Sequence, residues 1–502
     1  MSGNPPNFPV TLPSFRTFLC LVTLAAASPL PVAPAAESEL WGKAGEKWSP
    51  AGNLPDFSWA GYHHGEEPPP HLPPGKSVKD FGATGDGVTD DSAAFLKALA
   101  EVNGAIEVPA GRYVIRQILE ITRSGVVLRG EGPQKSILVC PIPLNDVKED
   151  WGATTGGERT SNYSWSGGFV SLRGEMQNNV ITKIMRVAKR GDHELTVGGT
   201  SHLSLGQQVI VQVKDTPENT LAAYLYSGDS GNITKLEGKT HAYLICRITA
   251  IDPASGTIWI DRPLRFDTQL EWLPVVKSLS PTVTESGVES LGFEFPPTPY
   301  GGHFKELGQN PLAMNGVMNC WARDLEFVNP DSGPFINSVF CTIRGITYKS
   351  VRPADAHGYS GHHGIYFGGD DNVFADFDFQ TKFIHDLSVS HCAGNVIENG
   401  RGVDLSFDHH RRAPYENLYT NLDAGSGSRL WMCGGGYALG KHCGARGTFW
   451  NIRTELPVHL PPEDFGPATL NIVGLRLNPE GPQEPVEPLN IHEAQLKRRL
   501  GK

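Results

Sequence analysis

Residues 403–415 read VDLSFDHHRRAPY, and the last eight positions carry Asp408, His409, His410, Arg411, Arg412 and Tyr415. A histidine titrates near neutral pH and can take a proton from carbon or oxygen. A guanidinium beside it can grip a carboxylate in a forked, charge-assisted pair, and a tyrosine can hand a proton back. Base, carboxylate clamp and acid together are what β-elimination on a uronic acid requires. His409 or His410 is the expected base, Arg411 or Arg412 the clamp, and Tyr415 the acid. Two of Asp404, Asp408 and Asp423 would instead suit acid–base hydrolysis of a glycosidic bond.

The elements that must position these groups are short strands. From Ser286 onward, GVESLGFEF, CWARDLEF, CTIRGITY, FIHDLSVS, YENLYTNL and FWNIRTE read as equivalent strands centred on Leu291, Leu325, Ile346, Leu387, Leu418 and Ile452. The intervals run from 21 to 41 residues, as for coils of a solenoid with loops of variable length. Upstream, SVKDFGATGDGVTDDSAAFLKALAEVNGAIEVPAGRYVI reads as strand, Gly/Asp turn, helix over Ala93–Val102 capped by Asp91 or Ser92, and a strand–turn–strand. This stretch, through Cys140, resembles the opening of pectate-lyase-like proteins. The resemblance implies an all-β fold, a right-handed parallel β-helix with an N-terminal capping helix, and makes a carbohydrate-active enzyme the leading class. Lyases, glycosidases, epimerases and phage tailspikes share that fold, so activity must be argued from the site.

Coil register then gathers further groups. Alternation points Val403, Leu405 and Phe407 inward and Asp404, Ser406, Asp408 and His410 outward. Residues 371–379 and 428–435 are expected to be the flanking rungs, about 4.8 Å away. Asp376 and Asp378 would join Asp408 as a candidate Ca²⁺ site, since hard oxygen ligands suit that ion; no other cofactor is indicated. His362, His363, Arg401, Asp404, Arg412, Arg429, Trp431, Lys441 and His442 are the expected substrate-binding groups. His385 and His391 are assigned to turns and coil packing, His63 and His64 to a solvated loop, and Glu398 and Glu416 to the exposed surface.

The domain organisation expected is a signal peptide over 1–36, an extended arm over 37–75, cap and first coils over 76–180, an inserted β subdomain over 181–270, main coils over 271–478 and a tail over 479–502. Arg16 followed by TFLCLVTLAAA predicts export, with cleavage near Ala27 or Ala35 and a secreted or periplasmic product. A net charge of −11 argues against nucleic-acid partners, and the apolar run is too short to span a membrane. Cys20 lies in the leader; the other seven cysteines lack C-x-x-C spacing and read as buried apolar residues, with at most one or two disulfides. The expected function is a polysaccharide lyase with a uronic-acid polymer as its partner. The alternatives are a glycoside hydrolase and a non-catalytic polysaccharide-binding adhesin.

Overall fold

The computed structural model describes residues 1–3, 36–154, 156–477 and 485–502. The apolar leader and both cleavage positions lie outside those residues.

Strands stack in parallel, coil upon coil, as a right-handed parallel β-helix. Gly287–Glu294 pairs with Trp321–Val328, which pairs with Thr342–Lys349, placing Leu291, Leu325 and Ile346 in register. A strand that cannot bury its apolar side alone does so by stacking. Phe293, Phe327, Tyr348 and Phe379 occupy one register position on four coils, with ring centroids 5.4, 5.3 and 4.1 Å apart. At a turn, the buried amides of Asn372, Asn395 and Asn417 form a ladder with links of 3.0 and 3.1 Å. Such ladders satisfy polar groups that the coil interior would otherwise strand.

The expected rung assignment fails at Leu387 and Leu418 and holds at Ile452. Leu387 lies on a different sheet, between Ile365 and Phe407. Leu418 points out of the coil, and Leu422 is the core residue opposite Ile452. The reason is that both faces of this sheet are covered, so hydrophobicity does not alternate cleanly. The outer face is covered by the N-terminal arm: Trp41, Leu54, Phe57 and Ala60 pack with Val373, Val396, Leu418 and Trp450. His64, expected in solvent, is buried there between Trp59 and Phe340. The C-terminal helix Ile491–Arg499 closes the same cover, with Gln495 bonded to the backbone of Phe57 and Pro55.

The helix near the N-terminus runs Ser92–Glu101 and buries Phe95, Ala98 and Leu99 in the coil core. Asp91 does not cap it; its carboxylate accepts the backbone N–H groups of Thr84 and Gly85, while Asp90 accepts that of Ser92. After Val170–Arg173 the chain leaves the coils and builds a six-stranded antiparallel sheet between Val180 and Ser278 before rejoining at Gly287. The ladder is not interrupted, because Val127 pairs directly with Gly287.

Buried ion pairs fasten this insertion to the coils. Asp371 is held by Arg262 and Arg265. Glu416, expected on the surface, is 2% exposed and meets Arg190 at 2.7 Å, Arg446 at 2.6 Å and Arg265 at 3.7 Å. Glu398 is likewise buried, 2.9 Å from Nδ1 of His492. All seven described cysteines are free thiols, six of them buried. No described helix is long and apolar enough to cross a membrane.

Candidate functional site

Five strands of one sheet carry the site: β1 Leu312–Met318, β2 Phe335–Val339, β3 Gly361–Phe367, β4 Phe383–Val389 and β5 Phe407–His409. They run parallel in that spatial order. Ile336, Ile365, Phe367, Leu387, Val389 and Phe407 enter the coil core, which turns the alternate positions Tyr366, Ser388 and Asp408 to the outer face.

Asp408 is the fixed point. Its Oδ1 accepts the Gly434 N–H at 2.7 Å, and its Oδ2 accepts the Ser388 hydroxyl at 2.9 Å. The same Oδ2 lies 3.0 Å from Nδ1 of His410 and 3.5 Å from Nδ1 of His385. Burial pushes this carboxyl up, but His385, His410 and the Gly434 N–H outweigh it and leave it well below the usual range. Burial lowers His410, and the adjacent Asp408 carboxylate more than offsets that, raising it above the ordinary histidine value. A carboxylate at Nδ1 fixes the tautomer with Nδ1–H inward, and Nε2 has no protein partner among the described residues. Arg412 stands exposed two residues on, without a side-chain partner among the described residues and close enough to depress His410.

Four more imidazoles pack beside this pair. His363 and His385 are register partners on β3 and β4, with ring centroids 5.1 Å apart. His362 lies 4.1 Å from His363 and 4.5 Å from His303, which reaches in from the loop between the Glu294 strand and β1. His385 lies 5.5 Å from His410. Burial and the neighbouring imidazoles push His362 and His363 far down; burial takes His385 to about 4. The group is therefore neutral near pH 7. Close packing needs Gly434, since a Cβ there would sit 2.6 Å from Cε1 of His410 and 2.8 Å from Cε1 of His385.

Several expected site residues are placed elsewhere. His409 is fully buried among Tyr419, Phe449 and Phe465, pushed by burial to about 4, because alternation that sends Asp408 out sends His409 in. Tyr415 is buried in the core of the insertion. Arg411 is committed to the Gly440 carbonyl, to Asp464 at 2.6 Å and to His442. Arg429 is buried against the Phe383 carbonyl and Asp386, and Asp404 caps Ser428 beside it. Lys441 pairs with Asp229, and Trp431 donates to the His459 carbonyl and packs on Phe449 and Phe465. Val403 is exposed rather than in the core. Arg401 and Asp378 face each other on the other sheet, where Asp376 pairs with Arg344. The Asp376–Asp378–Asp408 ladder therefore does not form, since residues 371–379 and β5 lie on different sheets.

His303 and His385 are the contributors the sequence reading missed. A signal existed for His385: it follows His363 by 22 residues, and Asp408 follows it by 23, one coil each. His303 offered none, because it comes from a loop outside the repeat.

Residues 76–231 match the family model for rhamnogalacturonase A/epimerase, pectate lyase-like proteins. Over 74 residues the chain is 36% identical to the pre-neck appendage protein of Bacillus phage B103, covering 14% of this chain and 8% of that protein. It is 41% identical over 64 residues to the pre-neck appendage protein of Bacillus phage phi29, covering 13% and 7%. The chain thus spans less than a tenth of the length of these relatives. Among solved structures, the tailspike gp49 of Pseudomonas phage LKA1 superposes with a TM-score of 0.43 at 14% identity, covering 76% of this chain and 64% of that one.

Proposed function

We propose that this chain, whose residues 76–231 match the pectate lyase-like family model, is an enzyme cleaving a uronic-acid polysaccharide by β-elimination. The observation that carries this reading is His410: Nδ1 is anchored on Asp408, Nε2 is free, and an unpaired guanidinium stands beside it. In the proposed reaction Nε2 takes the C5 proton of a uronate residue while Arg412 neutralises its carboxylate. The C5–H electron pair forms the C4–C5 double bond, and the C4–O bond breaks. In this proposal Tyr366 supplies the proton for the leaving oxygen. It shares the outer face, its ring lies 5.7 Å from that of His363, and burial holds its hydroxyl protonated, with a pKa of about 12.

The hydrolase alternative finds less support. Asp404 is spent on Ser428, Asp408 on its four partners, and Asp423 sits on the other sheet, so these three do not face one another as an acid–base pair. The test is incubation of purified protein with alginate, pectin, glucuronan and glycosaminoglycans, following ultraviolet absorbance of unsaturated uronate and new reducing ends. Both signals are expected together. Reducing ends without absorbance would overturn elimination in favour of hydrolysis; binding with neither signal would favour the adhesin.

A further inference from the structure

We propose that His303, His362 and His385 form a binding site for a divalent first-row transition metal ion of the Zn²⁺ or Co²⁺ type. One ligand atom from each lies within 4.8 Å of the others. The three come from a loop and two successive coils, so the coil register brings them together and no local turn explains the cluster.

Two of the imidazoles point to a ligand independently. His362 and His385 are 2% and 4% exposed, and Nδ1 of each is buried without a hydrogen-bond partner. Nε2 of each ring has no hydrogen-bond partner among the described residues either, so both imidazoles keep an unused nitrogen for a ligand. Carboxylates stand behind both rings. Oε1 of Glu306 is 3.7 Å from Nδ1 of His362, and Oδ2 of Asp408 is 3.5 Å from Nδ1 of His385. Glu306 Oε2 is itself buried and unpartnered, while Tyr300 donates to its other oxygen. With a carboxylate facing Nδ1, each ring would offer Nε2 to the ion, and such carboxylates orient metal-bound histidines and offset the charge of the ion.

Nitrogen donors select Zn²⁺, Co²⁺, Ni²⁺ or Cu²⁺ over Ca²⁺, which prefers oxygen. Three protein ligands leave a tetrahedral ion one open position for water or for a carboxylate oxygen of a molecule in the cleft. This proposal does not depend on the β-elimination reading: metal binding is measured without substrate, and its failure would leave that reading intact.

The test uses the full chain without an affinity tag, stripped with a chelator and titrated with Co²⁺ and then Zn²⁺. The expected result is saturation at about one equivalent per chain, intense visible Co²⁺ bands of the tetrahedral type, and their loss on Zn²⁺ addition. His303→Ala removes an exposed side chain, so the fold survives, and affinity should fall by more than the ~10–100-fold that outer-shell partners cost. His385→Gln should do the same, and His202→Ala on the insertion surface should not. The proposal is overturned if no saturable binding occurs, or if His303→Ala binds as tightly as the parent chain.

Discussion

Asp408 and His410 are two residues apart, yet the carboxylate is fully buried on the outer side of β5 while the imidazole it holds at 3.0 Å stays about a third exposed. The strand ends at His409, and the turn after it swings His410 back over the carboxylate. A base anchored on one nitrogen and open on the other follows from that geometry.

Replacing His410 by Ala should therefore lower kcat on a uronate polymer by about 10²–10⁴-fold, and losing the partner of the buried Asp408 carboxylate should also lower the melting temperature. Kinetics beside a melting curve check this. An unaltered kcat would remove His410 from the mechanism.

Arg412 has no side-chain partner to lose among the described residues, so Arg412→Ala should leave stability unchanged while weakening use of the free acid. A charge-assisted contact worth about 1.5–3 kcal/mol corresponds to roughly 10–100-fold in kcat/KM. The same variant should be indistinguishable from the parent on a fully methyl-esterified polymer. An equal loss on both polymers would contradict a carboxylate clamp.

Gly434→Ala would place a methyl group against Cε1 of both His410 and His385. The rings must move, so activity should fall by at least about tenfold, because misplacement of about an ångström is costly in catalysis. Circular dichroism should show the coils intact; retained activity would mean that the imidazole packing is not needed.

Glu416→Gln leaves three arginines around a neutral amide. Breaking a buried pair on one side costs about 3–5 kcal/mol. The loss should appear as a lower urea midpoint, and limited proteolysis should cut the Val180–Ser278 insertion first.

Asp370 gives a pH signature. Burial raises its pKa from the ordinary 3.8 to about 7, although Arg265 pulls it down. The folded chain thus holds a proton that the unfolded chain releases near 3.8. The stability this group contributes is fully present below that pH and is lost as pH rises through about 7. Asp370→Asn keeps an acceptor for the Ala393 N–H and should flatten that part of the slope between about pH 4 and about pH 7. An unchanged slope would show that Asp370 ionises normally in the fold.

The fold was largely readable in the chain. The Gly/Asp turn and helix beside the first coils, and the 34- and 21-residue steps from Leu291 to Ile346, each reflect a local rule: turn chemistry, helix periodicity, or a rung that must stack to bury its face. The insertion was readable too, because its hairpins break the coil period. Within VDLSFDHHRRAPY, alternation placed Asp408 outward; the same counting buries His409, while the turn after the strand, not the pleat, positions His410.

What the sequence could not supply was which coil meets which. Loop lengths between rungs vary, and both faces of the large sheet are covered, so Leu418 and Leu422 looked interchangeable until the arm and the C-terminal helix were in place. That ambiguity put Asp376 and Asp378 beside Asp408, whereas stacking puts them on another sheet. The five-histidine cluster depends on a register between coils and on a loop outside the repeat. Ring-to-ring distances of 4 to 6 Å are set by the stacking of separate coils, and the tertiary structure alone brings His303, His362, His385 and His410 together.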